Sequence, residues 1–267
     1  ALVEPVDEED PASLQRLRSA HGWPVLVLGG GSNLLVADEG FDGVVVRLRS
    51  GFQAIDLDPD DHRLRLGAGV RVSRLMGRAG RFGWAGLAFL EGIPGTVGGC
   101  VAMNAGTRDG EIGDILIDVD LVTAGGERRT LAAADCGLGY RRSSLPAGSV
   151  VVSARVDPGQ GDPAEVKRAL KAHHAYRKAT QPRGTSGGSV FANPPGDYAG
   201  RLVEAAGLKG RRMGGARISE EHANWIVTEP GAKASDVKGL MDVAQEEVLR
   251  AFGVALRLEN RVVGFAT

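Results

Sequence analysis

Cysteine is almost absent. Cys100 and Cys136 are the only two in 267 residues, and they form neither a C-x-x-C metal spacing nor a disulfide framework. No metal site is therefore expected, and a reducing, cytoplasmic setting fits. A charge surplus is missing as well. Lys and Arg number 32 against 33 Asp and Glu, a net charge of −1, without the basic excess of a nucleic-acid grip. No apolar run approaches the ~18 residues of a membrane span, so no membrane partner is expected. No signal peptide opens the chain. It begins at Ala1 rather than Met, as a trimmed chain would.

Glycine, by contrast, is abundant: 40 residues, about twice the usual ~7% share. The glycines fall in runs, which marks tight loops and close ligand approach rather than disorder. The 43% hydrophobic and 24% charged content is that of a soluble globular protein, and the length allows one to two domains.

Local patterns predict the elements. DPASLQRLRSAHG reads as a helix with Asp10 as N-cap, Pro11 at its first position and Gly22 past its end. Residues 24–28, 34–37, 44–48, 63–69 and 150–156 read as strands, and 72–83 as a helix. Residues 115–131 read as a hairpin turning at Gly125-Gly126. GDPAEVKRALKAHHAYRKATQP reads as a long helix capped by Asp162, with Glu165 in capping-box position, and a second domain is expected from about residue 157. The last helix, from about Ser235 to Phe252, carries Val237, Leu240, Met241, Ala244, Val248 and Phe252 on one apolar face and ends at Gly253. VALRLEN then alternates as a strand that presents Glu259 on its polar face.

Two glycine loops carry the first functional signal. VLVLGGGSNLLV sets Gly29, Gly30 and Gly31 between two strands, with Ser32 and Asn33 as added donors. It is neither G-x-G-x-x-G opening a helix nor a P-loop, yet successive N–H groups there can form an anion nest. LAFLEGIPGTVGGCVAMNAG packs Gly92, Gly95, Gly98, Gly99 and Gly106 around Pro94, and Asn104 offers an amide to a polar ring edge. Two such loops fit a long ligand with a charged middle, such as a dinucleotide. Three further spots hold reactive groups: Tyr140, Arg141 and Arg142 in GYRRSSLP, Ser189 and Asn193 in GGSVFANP, and Glu259 with Arg261 in LENRVVG. Taken singly, each also reads as a surface pair, a turn or a solvated carboxylate. Ser189 stands between a glycine-freed approach and the apolar pair Val190-Phe191, as a turn serine or as a positioned proton donor.

In their order, LGGGSNLLV, GIPGTVGG with MNAG, GYRRSSLP, GSVFANP, AGRLVEAAGLKG and LENRVVG resemble the UDP-N-acetylenolpyruvoylglucosamine reductase family over about residues 25–264. The resemblance implies an α+β fold: a two-subdomain α/β FAD-binding region (PCMH-type) plus a C-terminal α+β substrate-binding domain. The boundaries expected are 1–156 for the FAD region, with subdomains of about 1–50 and 51–156, and 157–267 for the substrate domain, its last strand returning to the active site. It implies an NADPH-dependent oxidoreductase that uses FAD to reduce a UDP-sugar enolpyruvyl ether to UDP-N-acetylmuramate for peptidoglycan. Arg141, Ser189 and Glu259 match its catalytic positions. The FAD loops would comprise Gly29, Gly30, Gly31, Ser32, Asn33, Leu34, Gly92, Ile93, Pro94, Gly95, Thr96, Gly98, Gly99, Asn104, Ala105 and Gly106. Substrate contacts would come from Tyr140 or Arg177, Gln181, Asn193, Lys209 and His222. Lys209, Arg211 and Arg212 form a basic cluster suited to a diphosphate.

Three departures stand out. Ala192 occupies the place of a common lysine, and the family's T-x-R-V-G-G-like strand is not found ahead of this sequence. Only 47 residues separate Arg141 from Ser189, as in the shorter subclass without a tyrosine-bearing lid loop. An alternative is another FAD-linked oxidase or dehydrogenase on the same scaffold, with Cys100 beside the second loop as a possible flavin tether. A nucleotide-binding regulator without turnover is a third reading.

Overall fold

The computed structural model describes residues 1–265. The chain forms two compact units. The first comprises Ala1–Gly31 and Gly43–Ala175, and the second Ser32–Asp42 and Tyr176–Thr267.

The first unit holds a parallel three-stranded sheet with Val44–Val46 between Leu2–Val3 and Val25–Val27. It also holds an antiparallel five-stranded sheet in the order Arg128–Ala132, Leu116–Val122, Val150–Val156, Leu64–Gly67, Ile55–Leu57. The hairpin forms as expected, with Arg128 opposite Val122. Val119 and Leu121 point into the core, while Asp118 and Asp120 face out toward Arg155, Ser153 and Thr130. Helix Val97–Met103 packs on Val150–Val156 and Leu64–Gly67, and helix Val72–Phe82 adds Leu75, Met76 and Ala79 to the same core. Leu64, Leu66, Leu75, Leu87, Leu90 and Leu121 are fully buried, each contributing about 1.5–3 kcal/mol relative to exposure.

One local expectation shifts. The first helix runs Glu9–His21 with Glu8, not Asp10, at its N-cap position. The Asp7 carboxylate takes the Glu9 and Asp10 N–H groups, while Asp10 turns back to the Val6 N–H. Pro11 thus lies third in the helix, where its missing N–H costs nothing because first-turn donors have no intrahelical acceptor. Gly22 closes the helix at φ +68°. The long helix Pro163–Thr180 stays with the first unit as far as Ala175. Leu170 packs on that core, and a side chain on Gly80 would meet Leu170 at 3.2 Å. Asp162 caps this helix by accepting the Glu165 N–H at 3.2 Å.

The second unit is a four-stranded antiparallel sheet ordered Thr185–Ser189, Trp225–Thr228, Ala216–Ile218, Arg212–Met213. Helix Ala234–Phe252 packs Leu240, Met241, Ala244 and Val248 into its core with Ile218 and Ile226. Asp38 caps that helix, accepting the Ala234 and Ser235 N–H groups at 2.6 and 3.1 Å and the Ser235 hydroxyl at 2.7 Å. Phe252, expected on the apolar face, is 40% exposed, because the stripe runs off the core in the last turn. Residues 254–257 make no strand. The alternation survives in burial, with Leu256 inside and Ala255 and Arg257 outside, and Leu258 forms one isolated bridge to Phe191. The last strand, Arg261–Val263, pairs in parallel with Leu34–Val36, which is why segment Ser32–Asp42 belongs to this unit.

Candidate active site

In the first unit the two glycine loops meet backbone to backbone. A Cβ on Gly30 would lie 2.6 Å from Gly95 Cα, and one on Gly29 would lie 2.7 Å from Thr96 Oγ1. Only glycine permits that approach. Gly31, Gly92 and Gly95 hold φ of +73°, +73° and +124°, the left-handed region. Gly98 sits where a Cβ would strike Ala68 Cβ at 2.8 Å, and its N–H donates to Ala68 O. Among the described residues no protein acceptor takes the Gly29, Gly30 or Gly31 N–H groups. The result is a bare backbone cradle with free donors, which fits the diphosphate of a dinucleotide. Ile93 packs against the core. Gly106 is explained by its own hairpin, since a Cβ there would meet Gly110 O at 2.6 Å. The Ala105 N–H closes the preceding helix on Cys100 O.

Asn104 anchors the loop from inside the unit. It is fully buried at the left-handed end of helix Val97–Met103, with φ +42°. Its Nδ2 donates to Gly139 O at 3.1 Å, and its Oδ1 accepts the Gly113 N–H at 2.8 Å. The amide thereby supports the turn that carries Arg141. Gly139 and Arg142 exchange both backbone hydrogen bonds around Tyr140-Arg141, and Arg141 sits at φ +55°. An arginine in that conformation is strained, and such strain persists where a side chain is held for use. Its guanidinium lies over the exposed Tyr140 ring, 5.1 Å from the centroid.

Cys100 is 4% exposed, and burial pushes its thiol up to about 12. A buried, protonated thiol is a poor nucleophile for a flavin tether, so the tethered-flavin alternative loses its candidate residue.

In the second unit the approach to Ser189 is a β-bulge. Ser186 pairs with Val227 and Ser189 with Trp225, so Gly187 and Gly188 occupy a span that holds one residue on the partner strand. Gly188 takes φ +78°. Bulges re-aim side chains, and this one leaves Ser189 half-buried beside the fully packed Val190 and Phe191. Asn224, not anticipated from sequence, holds the next residue: its Oδ1 accepts the Phe191 N–H at 2.9 Å and its Nδ2 donates to Phe191 O at 2.8 Å. The Glu259 N–H donates to Val190 O at 2.8 Å, so the half-buried Glu259 lies across from Val190. Asn33 faces inward within this unit, where its Nδ2 donates to Glu259 O at 3.0 Å. Leu34 and Leu35 follow in the parallel pair with Arg261–Val263.

The remaining residues spread through the second unit, Tyr140 excepted. Arg177 and Gln181 lie at the end of the long helix, the Gln181 N–H donating to Arg177 O. Asn193 accepts the Ala199 N–H at the start of helix Ala199–Ala205. Lys209 pairs with Glu204 at 2.8 Å, and Arg212 with Glu229 at 3.1 Å, so the basic cluster is partly offset by carboxylates. His222 Nδ1 accepts the Asn224 N–H at 3.2 Å, and burial, with Lys209 nearby, holds its pKa below the usual value. A neutral ring in that tautomer presents Nε2–H as a donor. Ala192 is 4% exposed, its N–H donating to Arg257 O.

Known proteins match this arrangement. The family described as FAD binding domain matches residues 1–132, and the UDP-N-acetylenolpyruvoylglucosamine reductase C-terminal domain matches residues 180–263. The reductase of Anaeromyxobacter sp. (strain Fw109-5) is 48% identical over 98% of this chain and 82% of its own length. The chain belongs to the UDP-N-acetylenolpyruvoylglucosamine reductase family. The reductase of Myxococcus xanthus is 43% identical over 99% of the chain and 86% of its own length. The crystal structure of the Thermus caldophilus reductase aligns with a TM-score of 0.85 at 40% identity, covering 98% of this chain and 92% of that one. The protein is thus an α+β, FAD-dependent oxidoreductase with the family's FAD-binding and C-terminal domains. Among the described residues no helix is long and apolar enough to cross a membrane, and no group of three or more His, Cys, Asp or Glu is placed to hold a metal.

Proposed function

We propose that the protein reduces UDP-N-acetylglucosamine enolpyruvate to UDP-N-acetylmuramate with NADPH, a step of peptidoglycan precursor synthesis in the cytoplasm. One observation carries the proposal: a two-glycine bulge immediately before Ser189, next to the backbone that also bears Glu259. Family membership supplies the substrate class. The FAD-binding region is read as 1–156 and the substrate domain as 157–267. The glycine cradle of Gly29–Gly31 and Gly92–Gly99 would hold FAD, which when bound supplies the hydride relay from NADPH to the enolpyruvyl double bond.

The chain's own residues do the rest. Addition of hydride at one alkene carbon leaves enolate-like charge beside the substrate carboxylate, and the Arg141 guanidinium is the fork that stabilises it. The carbon next to that carboxylate then takes a proton, and Ser189 Oγ–H gives it. Serine is a weak acid, so its hydroxyl must be held in place at the moment of transfer. Glu259 polarises this step or relays the proton that restores Ser189. Arg177, Gln181, Asn193, Lys209 and His222, with Tyr140, are assigned to the UDP-sugar.

The test is Ser189→Ala under anaerobic conditions. NADPH is expected to bleach the flavin as in wild type, while reoxidation by the enolpyruvyl sugar collapses. Unchanged turnover in this variant would sink the assignment.

A further inference from the structure

Asn260 follows Glu259, is 7% exposed, and has no assigned role. Its Nδ2 donates both hydrogens, to Gly187 O at 2.7 Å and to Asn33 Oδ1 at 2.7 Å. Asn33 in turn donates to Glu259 O and accepts the Arg261 N–H on its own carbonyl at 2.9 Å. The first bulge glycine lies flat on this amide, since a Cβ on Gly187 would meet Asn260 Nδ2 at 3.3 Å. Beyond the antiparallel bridge Phe191–Leu258, the Glu259 and Asn260 N–H groups both donate to Val190 O, at 2.8 and 3.4 Å, next to Ser189 in the chain. One buried amide therefore ties the bulge that aims Ser189 to the segment that bears Glu259.

We propose that Asn260 is a positioning residue: it fixes the Gly187-Gly188 bulge so that the Ser189 hydroxyl is held for proton donation. A hydroxyl with a poor pKa match depends on placement, and a flexible two-glycine bulge does not supply placement by itself. The amide does, because both its hydrogens are satisfied in this arrangement, one of them by the bulge carbonyl itself. The proposal rests on the reading of Ser189 as proton donor.

The experiment uses the FAD-loaded protein with Asn260→Ala and the closer isostere Asn260→Asp, which removes both donors but keeps the shape. In anaerobic stopped-flow, flavin bleaching by NADPH is expected to stay within about twofold of wild type. Reoxidation by UDP-N-acetylglucosamine enolpyruvate is expected to slow about tenfold or more, the loss tied to one positioning hydrogen bond. The solvent deuterium isotope effect on that step should rise. The double variant Ser189→Ala/Asn260→Ala should be no slower than Ser189→Ala alone, because Asn260 acts through Ser189. In the flavin-free protein, amide hydrogen exchange should quicken over 186–190 and not over 240–248. Additive losses in the double variant, equal losses in both half-reactions, or unchanged exchange over 186–190 overturn the proposal. Normal reoxidation in Ser189→Ala instead removes the reading of Ser189, and that arm does not depend on Asn260.

Discussion

Gly30→Ala tests the cradle most directly. Gly30 does not have a positive φ, so the perturbation to weigh is the contact made by the added methyl. That methyl would stand 2.6 Å from Gly95 Cα, with Gly95 C and N both at 3.4 Å. These are main-chain atoms, and no side-chain rotation relieves the clash. Ordinary contact begins near 3.4 Å, so the two loops must separate by 0.8 Å. Overpacking of this kind costs roughly 1–3 kcal/mol. A cofactor that spans both loops would lose a comparable amount, roughly ten- to hundredfold in Kd. The assay is FAD titration of the flavin-free protein by fluorescence quenching, paired with calorimetric Tm. Gly99→Ala is the contrast. It lies in helix Val97–Met103, and its Cβ would meet nothing nearer than Thr96 Oγ1 at 3.6 Å. Alanine there should raise stability by up to about 1 kcal/mol, and it should weaken FAD only if the cofactor lies against that bare Cα. Wild-type FAD affinity and Tm in Gly30→Ala would refute the close-approach argument.

Two further outcomes follow from single residues. At Arg141, φ +55° makes glycine a better occupant than alanine. Arg141→Gly and Arg141→Ala should both lose activity, but the glycine variant should be more stable by about 1 kcal/mol in urea denaturation, and the opposite order would show that the turn is not strained. At His222, burial first and Lys209 second depress the pKa from 6.5, so the folded protein holds the ring neutral while the unfolded chain protonates first as pH falls. Its contribution to stability is complete above about pH 6.5 and is lost as pH drops below that through the folded value. Urea midpoints from pH 7.5 to 5 should fall less steeply in His222→Gln, and parallel curves for the two proteins would remove His222 as the cause.

The elements most legible in sequence were those whose cause is local. Glycines past helix ends, the Gly125-Gly126 turn and the Asp162 cap act within a few residues, and each appears as read. The glycine loops were legible because side-chain-free backbone in two dense runs has few uses other than close approach. What could not be read depends on pairing across the chain. Alternation in VALRLEN fixes which residues are buried, but it does not supply the neighbour that would make a strand, and the segment finds only one bridge. Leu34–Val36 belongs to the second unit because Arg261–Val263 lies beside it, a pairing no local pattern contains. Asparagine shows the same limit from the other side. Asn104, read as offering an amide to a polar ring edge, also reaches Gly139 and Gly113, 35 and 9 residues away, contacts that no local pattern contains. Asn224 and Asn260, to which the sequence reading assigned nothing, reach Phe191 and Gly187, 33 and 73 residues away. In a loop-built site the backbone carbonyls and N–H groups need buried partners, and a side-chain amide is the group that can satisfy a donor and an acceptor at once. No local pattern marks which asparagine will do this, because its partner lies elsewhere in the chain: the glycines give the loop its shape, and the amides make that shape the one it keeps.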